Sequence, residues 1–302
     1  MLLLDRRRFL TGAGVFAAGS VALTGGASAY EAGFQLDQTR YFIAPPTWPA
    51  NLTLKIAVIA DIHACEPWMS AERIASIVDL ANAQKPDMTV LLGDFVCTHR
   101  FVSGYVAPGA WAEQLARLEA PLGVHAILGN HDWWSAAIPT HPPDGARSIR
   151  KALAGAGIPL LENRAIKLSH GGQDFWLVGL GDQLAHGHHR RGDDDLAGSL
   201  RNVGDSAPVI LLAHEPFIFE HVPDRVALTL SGHTHGGQIN LPLIGAPFAP
   251  EGPHTTKRYV YGVYREGGRH LVVSGGLGTS YAPVRIGVPP EVVMVTVGAG
   301  NA

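Results

Sequence analysis

Two histidines two residues apart, His233 and His235, follow the apolar run Val226–Leu230 in the stretch Leu230-Ser231-Gly232-His233-Thr234-His235-Gly236-Gly237-Gln238. In extended chain that spacing sends both imidazoles to one side. The flanking glycines leave little bulk and permit unusual backbone angles. Four similar clusters lie upstream: Asp61 with His63, Asp94 after Gly93, Asn130-His131-Asp132 after Gly129, and His214. Two carboxylates (Asp61, Asp94), one amide (Asn130) and four imidazoles (His63, His214, His233, His235) make a nitrogen and oxygen donor set without thiolate. Such a set suits Mn²⁺, Fe or Zn²⁺ better than Ca²⁺. Seven side chains exceed the needs of one tetrahedral ion, and a bridging carboxylate would give each of two ions four contacts. Two divalent ions, less two carboxylates and a bridging hydroxide, leave about +1, which attracts a phosphate ester. Ions about 3.5–4 Å apart clamp in-line phosphoryl displacement and lower the pKa of a shared water.

A scaffold must bring these clusters together. Leu52–Ala60, Met88–Leu92, Val124–Leu128, Val209–Ala213 and Val226–Leu230 are apolar runs of strand length, suited to strands covered on both faces. Ser70 caps a predicted helix with the apolar face Ile74, Ile77, Val78 and Ala81, closed by Pro86. Further helices are predicted over 110–119, from the Asp144 cap through Ile149 and Leu153, and over 193–202. Shorter strands are predicted at 158–161, 164–168, 174–179, 258–264, 270–274 and 292–297. Residues 30–50, with Pro45, Pro46 and Pro49, read as a surface lead-in. Alternating strands and helices in the first half imply parallel pairing, and the strand-rich second half implies a mixed or second sheet. In open α/β sheets, ligand sites form beyond the carboxyl ends of strands. Five polar clusters at five strand ends therefore describe one shared site.

With 302 residues the chain can bury a full core without disulfides, and nothing inside it resembles a linker. The N-terminus is set apart. Asp5-Arg6-Arg7-Arg8-Phe9-Leu10 is followed by an uncharged, small-residue segment and by Ala27-Ser28-Ala29. This is the pattern of a twin-arginine signal over residues 1–29, with one domain over 30–302. The segment is weakly hydrophobic for a membrane span. Handling by the twin-arginine machinery and a periplasmic or extracytoplasmic, membrane-associated location are expected. Without residues 1–29 the chain keeps 20 of its 23 basic and 25 of its 26 acidic residues, a net −5. No basic patch stands out, and a nucleic-acid surface is not expected.

In order, Asp61-Ile62-His63, Gly93-Asp94, Gly129-Asn130-His131-Asp132, His214 and Gly232-His233-Thr234-His235 resemble the five motif blocks of calcineurin-like metallophosphoesterases. The stretches His233–Gln238 and Gly276–Ser280, with Pro283-Val284-Arg285, resemble that family's exported bacterial phosphodiesterase branch. The fold implied is α/β, a two-sheet αββα sandwich. The resemblance implies Asp61, His63, Asp94 and His235 on a first ion, with Asp94 bridging to a second held by Asn130, His214 and His233. It implies that His131 protonates the leaving oxygen, with Asp132 orienting it. The expected reaction is hydrolysis of a phosphodiester or pyrophosphate, on a cell-envelope or lipid-linked substrate, by a metal-bridging hydroxide. An exported nucleotidase or nuclease and a metal-binding protein without turnover are the alternatives. Protein Ser/Thr phosphatases of the superfamily carry an aspartate three residues after the bridging one, where this chain has Cys97. Protein phosphatase activity is therefore not expected.

Several residues stay open at this point. Cys65 and Cys97 follow ligand positions closely, and they are either a disulfide beside the site or two buried thiols. Arg285 is a candidate phosphate contact. His186-Gly187-His188-His189 is a solvated loop, a third metal site or a substrate lip. Trp133 and Trp134 either wall an apolar pocket or belong to the core.

Overall fold

The computed structural model describes residues 35–134, 144–250 and 258–299; the twin-arginine segment lies outside them. The strands, in chain order, are β1 (Asp37–Ile43), β2 (Leu54–Ile59), β3 (Cys65–Glu66), β4 (Met88–Leu91), β5 (Gly104–Tyr105), β6 (Val124–Ala126) and β7 (Arg164–His170). They continue with β8 (Gln173–Gly179), β9 (Val209–Leu212), β10 (Val226–Ser231), β11 (Gly262–Glu266), β12 (Arg269–Val273) and β13 (Glu291–Val297). One sheet has the order β1-β13-β2-β4-β6 and the other β11-β12-β10-β9-β8-β7; β3 and β5 form a small ribbon. The strands that lead into the polar clusters run parallel: β2 with β4 and β4 with β6 in one sheet, β9 with β10 in the other.

Side-chain alternation builds the layers. In β2, Ala57 and Ile59 pack toward the helices Ala71–Ala83, Pro108–Leu115 and Arg147–Gly155, while Ile56 and Val58 face the second sheet. Leu177, Ile210, Leu212, Leu228 and Leu230 answer them across the interior. The far face of the second sheet is covered by the helix Leu196–Arg201 and the 3₁₀ turn Pro216–His221. The result is the expected αββα sandwich. Each fully buried aliphatic side chain contributes about 1.5–3 kcal/mol before entropy is counted.

The predicted caps hold. Ser70 Oγ accepts from the Arg73 N–H at 3.3 Å, and the Asp144 carboxylate accepts from the N–H groups of Arg147 and Ser148. Other segments differ. Residues 158–161 contribute only a bridge from Leu160 to Ala126, and the strand expected from 258 begins at Gly262. The lead-in contains β1, paired in parallel with β13. As an edge strand with polar residues on both faces, β1 carries no apolar alternation to read. Among the described residues, no helix is long and apolar enough to cross a membrane.

Candidate metal centre

Asp61 and His63 follow β2, Asp94 follows β4, Asn130 and His131 open the short helix Asn130–Trp133 after β6, His214 follows β9, and His233 and His235 follow β10. Five of these residues, Asp61, His63, Asp94, His233 and His235, have φ between 47° and 69°. Left-handed backbone costs an L residue roughly 1–2 kcal/mol, and the loops hold it by bonding to one another. Asp61 and His63 donate backbone N–H bonds to the carbonyls of Gly93 and Asp94 at 3.1 and 2.9 Å, and Gly232 donates to His214 at 3.0 Å. The His233 N–H reaches Asp61 Oδ1 at 2.9 Å, and the His131 N–H reaches Asp94 Oδ1 at 2.8 Å. Gly129 is required by close approach, because a Cβ there would strike the Asp94 carboxylate and the His214 ring.

All seven expected donors converge, in two groups that share Asp94. In the first, Asp61, His63, Asp94 and His235 point ligand atoms at one volume. His63 Nε2 lies 3.1 Å from His235 Nε2 and 3.5 Å from Asp94 Oδ2, and His235 Nε2 lies 3.7 Å from Asp61 Oδ1. In the second, His214 Nε2 is 3.2 Å from Asp94 Oδ2 and from Asn130 Oδ1, and His233 Nδ1 is 3.0 Å from Asn130 Oδ1. Donor bonds of about 2.0–2.2 Å to a common ion produce separations of this size. The opposite nitrogens are tied off. His63 Nδ1 faces the Val96 carbonyl at 3.1 Å, His214 Nδ1 that of Leu92 at 2.6 Å, and His235 Nδ1 that of Gly278 at 3.2 Å. Carbonyls only accept, so Nδ1 of His63 and of His214 carries the hydrogen and Nε2 faces inward, as in metal-ligating imidazoles, while His235 Nδ1 also meets the donating Nη2 of Arg285 at 3.2 Å. The residues fit divalent cations.

Electrostatics agrees. Burial lowers His63 to about 3 and holds His233 and His235 well below the usual imidazole range, so these rings stay neutral. Burial raises Asp61 to about 7, with Asp94 nearby adding to it. Burial also pushes Asp94 up, but His214, His131 and His63 outweigh it and hold that carboxylate well below its ordinary value. His214 lies well above its own, because Asp94 beside it outweighs burial. Two carboxylates buried this close call for positive charge.

His131 projects into the adjoining cavity, with Nε2 3.1 Å from Ser280 Oγ and 4.0 Å from Asp94 Oδ2. Its Nδ1 is 2.5 Å from Thr98 Oγ1. Asp132 does not orient it. The Asp132 carboxylate instead accepts the backbone N–H groups of Gly129, Asp94 and Phe95 at 2.9–3.0 Å and ties two ligand loops together. Arg285 is also misassigned by the sequence. It is fully buried behind the site, where Nε donates to Gly278 O and Nη1 to Gly275 O and Val288 O at 2.9–3.0 Å. A buried side chain committed to carbonyls offers nothing to a phosphate. Thr98 and Ser280 are functional candidates that the spacing of charged residues did not reveal.

The open pairs resolve. Cys65 and Cys97 are two free, buried thiols. Trp133 packs against the core under Arg150, whereas Trp134 lines the cavity. His188 is the exposed-loop histidine that reaches the cavity wall, its ring tilted against Trp134.

Residues 54–237 match the calcineurin-like phosphoesterase family, over more than half of the chain. The chain belongs to that family. The uncharacterized metallophosphoesterase YkuE of Bacillus subtilis (strain 168) is 31% identical, covering 99% of both chains. Phosphodiesterase YaeI of Escherichia coli (strain K12) is 33% identical over 80% of this chain and 81% of its own. The UDP-2,3-diacylglucosamine pyrophosphatase LpxG of Chlamydia muridarum (strain MoPn / Nigg) is 26% identical over 80% and 83%. Membership makes this protein a metal-dependent phosphoric ester hydrolase, and the converging donors are its candidate metal-binding groups.

Proposed function

We propose that the chain is a dinuclear phosphodiesterase or pyrophosphatase, exported by the twin-arginine route, that acts on a cell-envelope or lipid-linked phosphoester. The observation that carries this reading is the cavity of about 980 Å³ beside the donors. Asn130, His131, His233 and His235 line it, and Phe101, Trp134, Ile239, Phe248 and Val284 supply apolar wall. An amphiphile with a phosphoryl centre and a large apolar arm matches both kinds of lining. Among the described lining residues, Arg100 is the one Lys or Arg side chain. So sparse a cationic lining suits a diester monoanion better than a monoester dianion. YaeI and LpxG, a phosphodiesterase and a lipid pyrophosphatase by name, support the same choice.

Asp61, His63, Asp94 and His235 would hold one ion, and Asp94, Asn130, His214 and His233 the other. Bound there, two divalent ions such as Mn²⁺, Zn²⁺ or Fe²⁺ supply Lewis acidity to the phosphoryl oxygens and activate the attacking water. The chain does the rest. Nearby backbone bonds hold Asp61 and Asp94 in fixed orientation, so little reorganisation accompanies the reaction. His131 holds a proton at Nε2, the atom facing the cavity, and gives it to the departing oxygen. Thr98 keeps that ring aimed, and Trp134 with the apolar wall limits water at the leaving group.

The test is hydrolysis of bis(p-nitrophenyl) phosphate against p-nitrophenyl phosphate with Mn²⁺ added. Preference for the diester is expected, with loss of turnover in His131→Ala while the bound metal remains. Equal turnover by His131→Ala would remove the acid from the reading, and no turnover by the parent protein would favour a metal-binding protein without catalysis.

A further inference from the structure

Large apolar side chains that face water cluster on this molecule. Among the described residues seven do so, and five of them, Phe101, Leu243, Ile244, Phe248 and Tyr281, come from three segments around the cavity. Phe101, Phe248 and Tyr281 belong to the cavity wall itself. Leu243 is fully exposed, and the other four are 62–72% exposed. Leu243 and Ile244 ride a tight turn closed by paired backbone bonds between Leu241 and Gly245, at 2.8 and 2.9 Å. That turn is flanked in the chain by the wall residues Ile239 and Phe248. Leu243 adopts φ +69°, left-handed backbone that costs a leucine free energy and returns no packing inside the protein.

The turn is anchored. Gln238 donates from Nε2 to the carbonyls of Ala282 and Val284 and accepts the Ser280 N–H at Oε1, and Asn240 donates its N–H to Ile286 O. The segments carrying Leu243 and Tyr281 thus present their apolar tips as one fixed rim. Exposed apolar groups raised on loops around a concavity suit insertion into a bilayer interface better than a flat protein contact. Tyr281 has the apolar ring and polar tip that settle at the headgroup level, and Arg100, exposed beside Phe101, supplies a cation there.

We infer that the rim formed by Phe101, Leu243, Ile244, Phe248 and Tyr281 docks the protein on an anionic lipid bilayer. The substrate's apolar arm then passes from the bilayer to the cavity wall without crossing water. This inference rests on reading the same site as one for amphiphilic phosphoesters.

The experiment uses the full chain, metal-loaded, with vesicles of phosphatidylcholine and phosphatidylglycerol. A Leu243→Cys variant carries an environment-sensitive fluorophore; the native thiols are buried and do not label. Blue-shifted emission, quenched by lipids spin-labelled near the glycerol, is expected at this position and not at a Val263→Cys control on β11. The pair Leu243→Asp with Ile244→Asp should weaken vesicle partitioning at least tenfold and leave hydrolysis of water-soluble bis(p-nitrophenyl) phosphate unchanged. A water-like signal at position 243 in the presence of vesicles overturns the inference. So does a solution dimer that the same pair of substitutions breaks, because a second copy would then cover the rim. Turnover of the soluble diester scores the catalytic reading separately, whatever the fluorophore reports.

Discussion

Thr98 Oγ1 and His131 Nδ1 lie 2.5 Å apart, on the side of the ring away from the Nε2 that faces Ser280 and Asp94. A neutral hydroxyl thus holds the ring from behind. Thr98→Ala should lower kcat about ten- to a hundredfold, the cost of losing an orienting bond behind a reactive imidazole. KM and metal content should stay as they are, and Thr98→Ser should restore most of the rate. Steady-state kinetics with metal analysis decides it. Loss of metal in the alanine variant would mean that Thr98 supports the Asp94 loop rather than the ring.

Asp132 leads to a different expectation because its bonds are all to backbone. Its two oxygens take three N–H groups from the loops of Asp94 and Asn130. Asp132→Ala leaves those donors buried and unpaired, a loss of about 3 kcal/mol or more, or on the order of 5–10 °C in Tm. Calorimetry reads the loss. The pH profile of the remaining activity should keep its shape, since Asp132 does not touch His131. A shifted profile would return Asp132 to the proton-transfer role the sequence suggested.

These two residues mark where sequence reading stops. The seven donors were legible because each follows an apolar run long enough to identify as a strand, and parallel strands deliver their carboxyl ends to one edge. The helix caps at Ser70 and Asp144 were legible for a similarly local reason. Thr98 was not, because a threonine four residues past a ligand has no periodicity to betray it. Arg285 was misread because an arginine's burial depends on which carbonyls the fold brings to it. Those of Gly275, Gly278 and Val288 converge only in three dimensions. The edge strand β1 was missed because its partner, β13, lies about 250 residues away in the chain.

Metal removal should destabilise the protein as well as silence it. Asp61 and Asp94 are 0% and 1% exposed, and without cations their charges are offset by neighbouring imidazoles, two backbone N–H groups and the buried Arg285. Stripping with a chelator should lower Tm by several degrees, and added Mn²⁺ should restore it in a concentration-dependent way. Gly129→Ala drives a Cβ against Asp94 and His214, so it should abolish the metal-dependent rise in Tm with the circular dichroism spectrum retained. Scanning calorimetry over a metal titration measures both. A full metal response in the alanine variant would place the ions elsewhere.

Behind His214 lies a second acidic contact that the proposed mechanism does not use. Asp182 and Glu215 are each 1% exposed and face each other; among the described residues no other group bonds Asp182 Oδ2 or Glu215 Oε1, so a proton on Asp182 can bridge the pair. Asp182 Oδ1 accepts the Leu184 N–H at 2.9 Å. Burial first, and Glu215 second, push the Asp182 carboxyl well above its ordinary value of 3.8. The folded chain therefore keeps a proton that the unfolded chain releases. Stability from this group is fully present below the unfolded pKa and is lost as pH rises through the folded one. Raising the pH from the ordinary carboxylate range into the alkaline range should lower the Tm of the metal-loaded protein. Asp182→Asn keeps the acceptor for Leu184, offers an amide hydrogen to Glu215 and has no proton to lose. Its Tm should be flatter over that range and higher than the parent's at the alkaline end, by roughly 2–4 °C for each kcal/mol recovered. Thermal melts at fixed metal and salt provide the comparison. An equally steep decline in the asparagine variant would assign the titration to a different group.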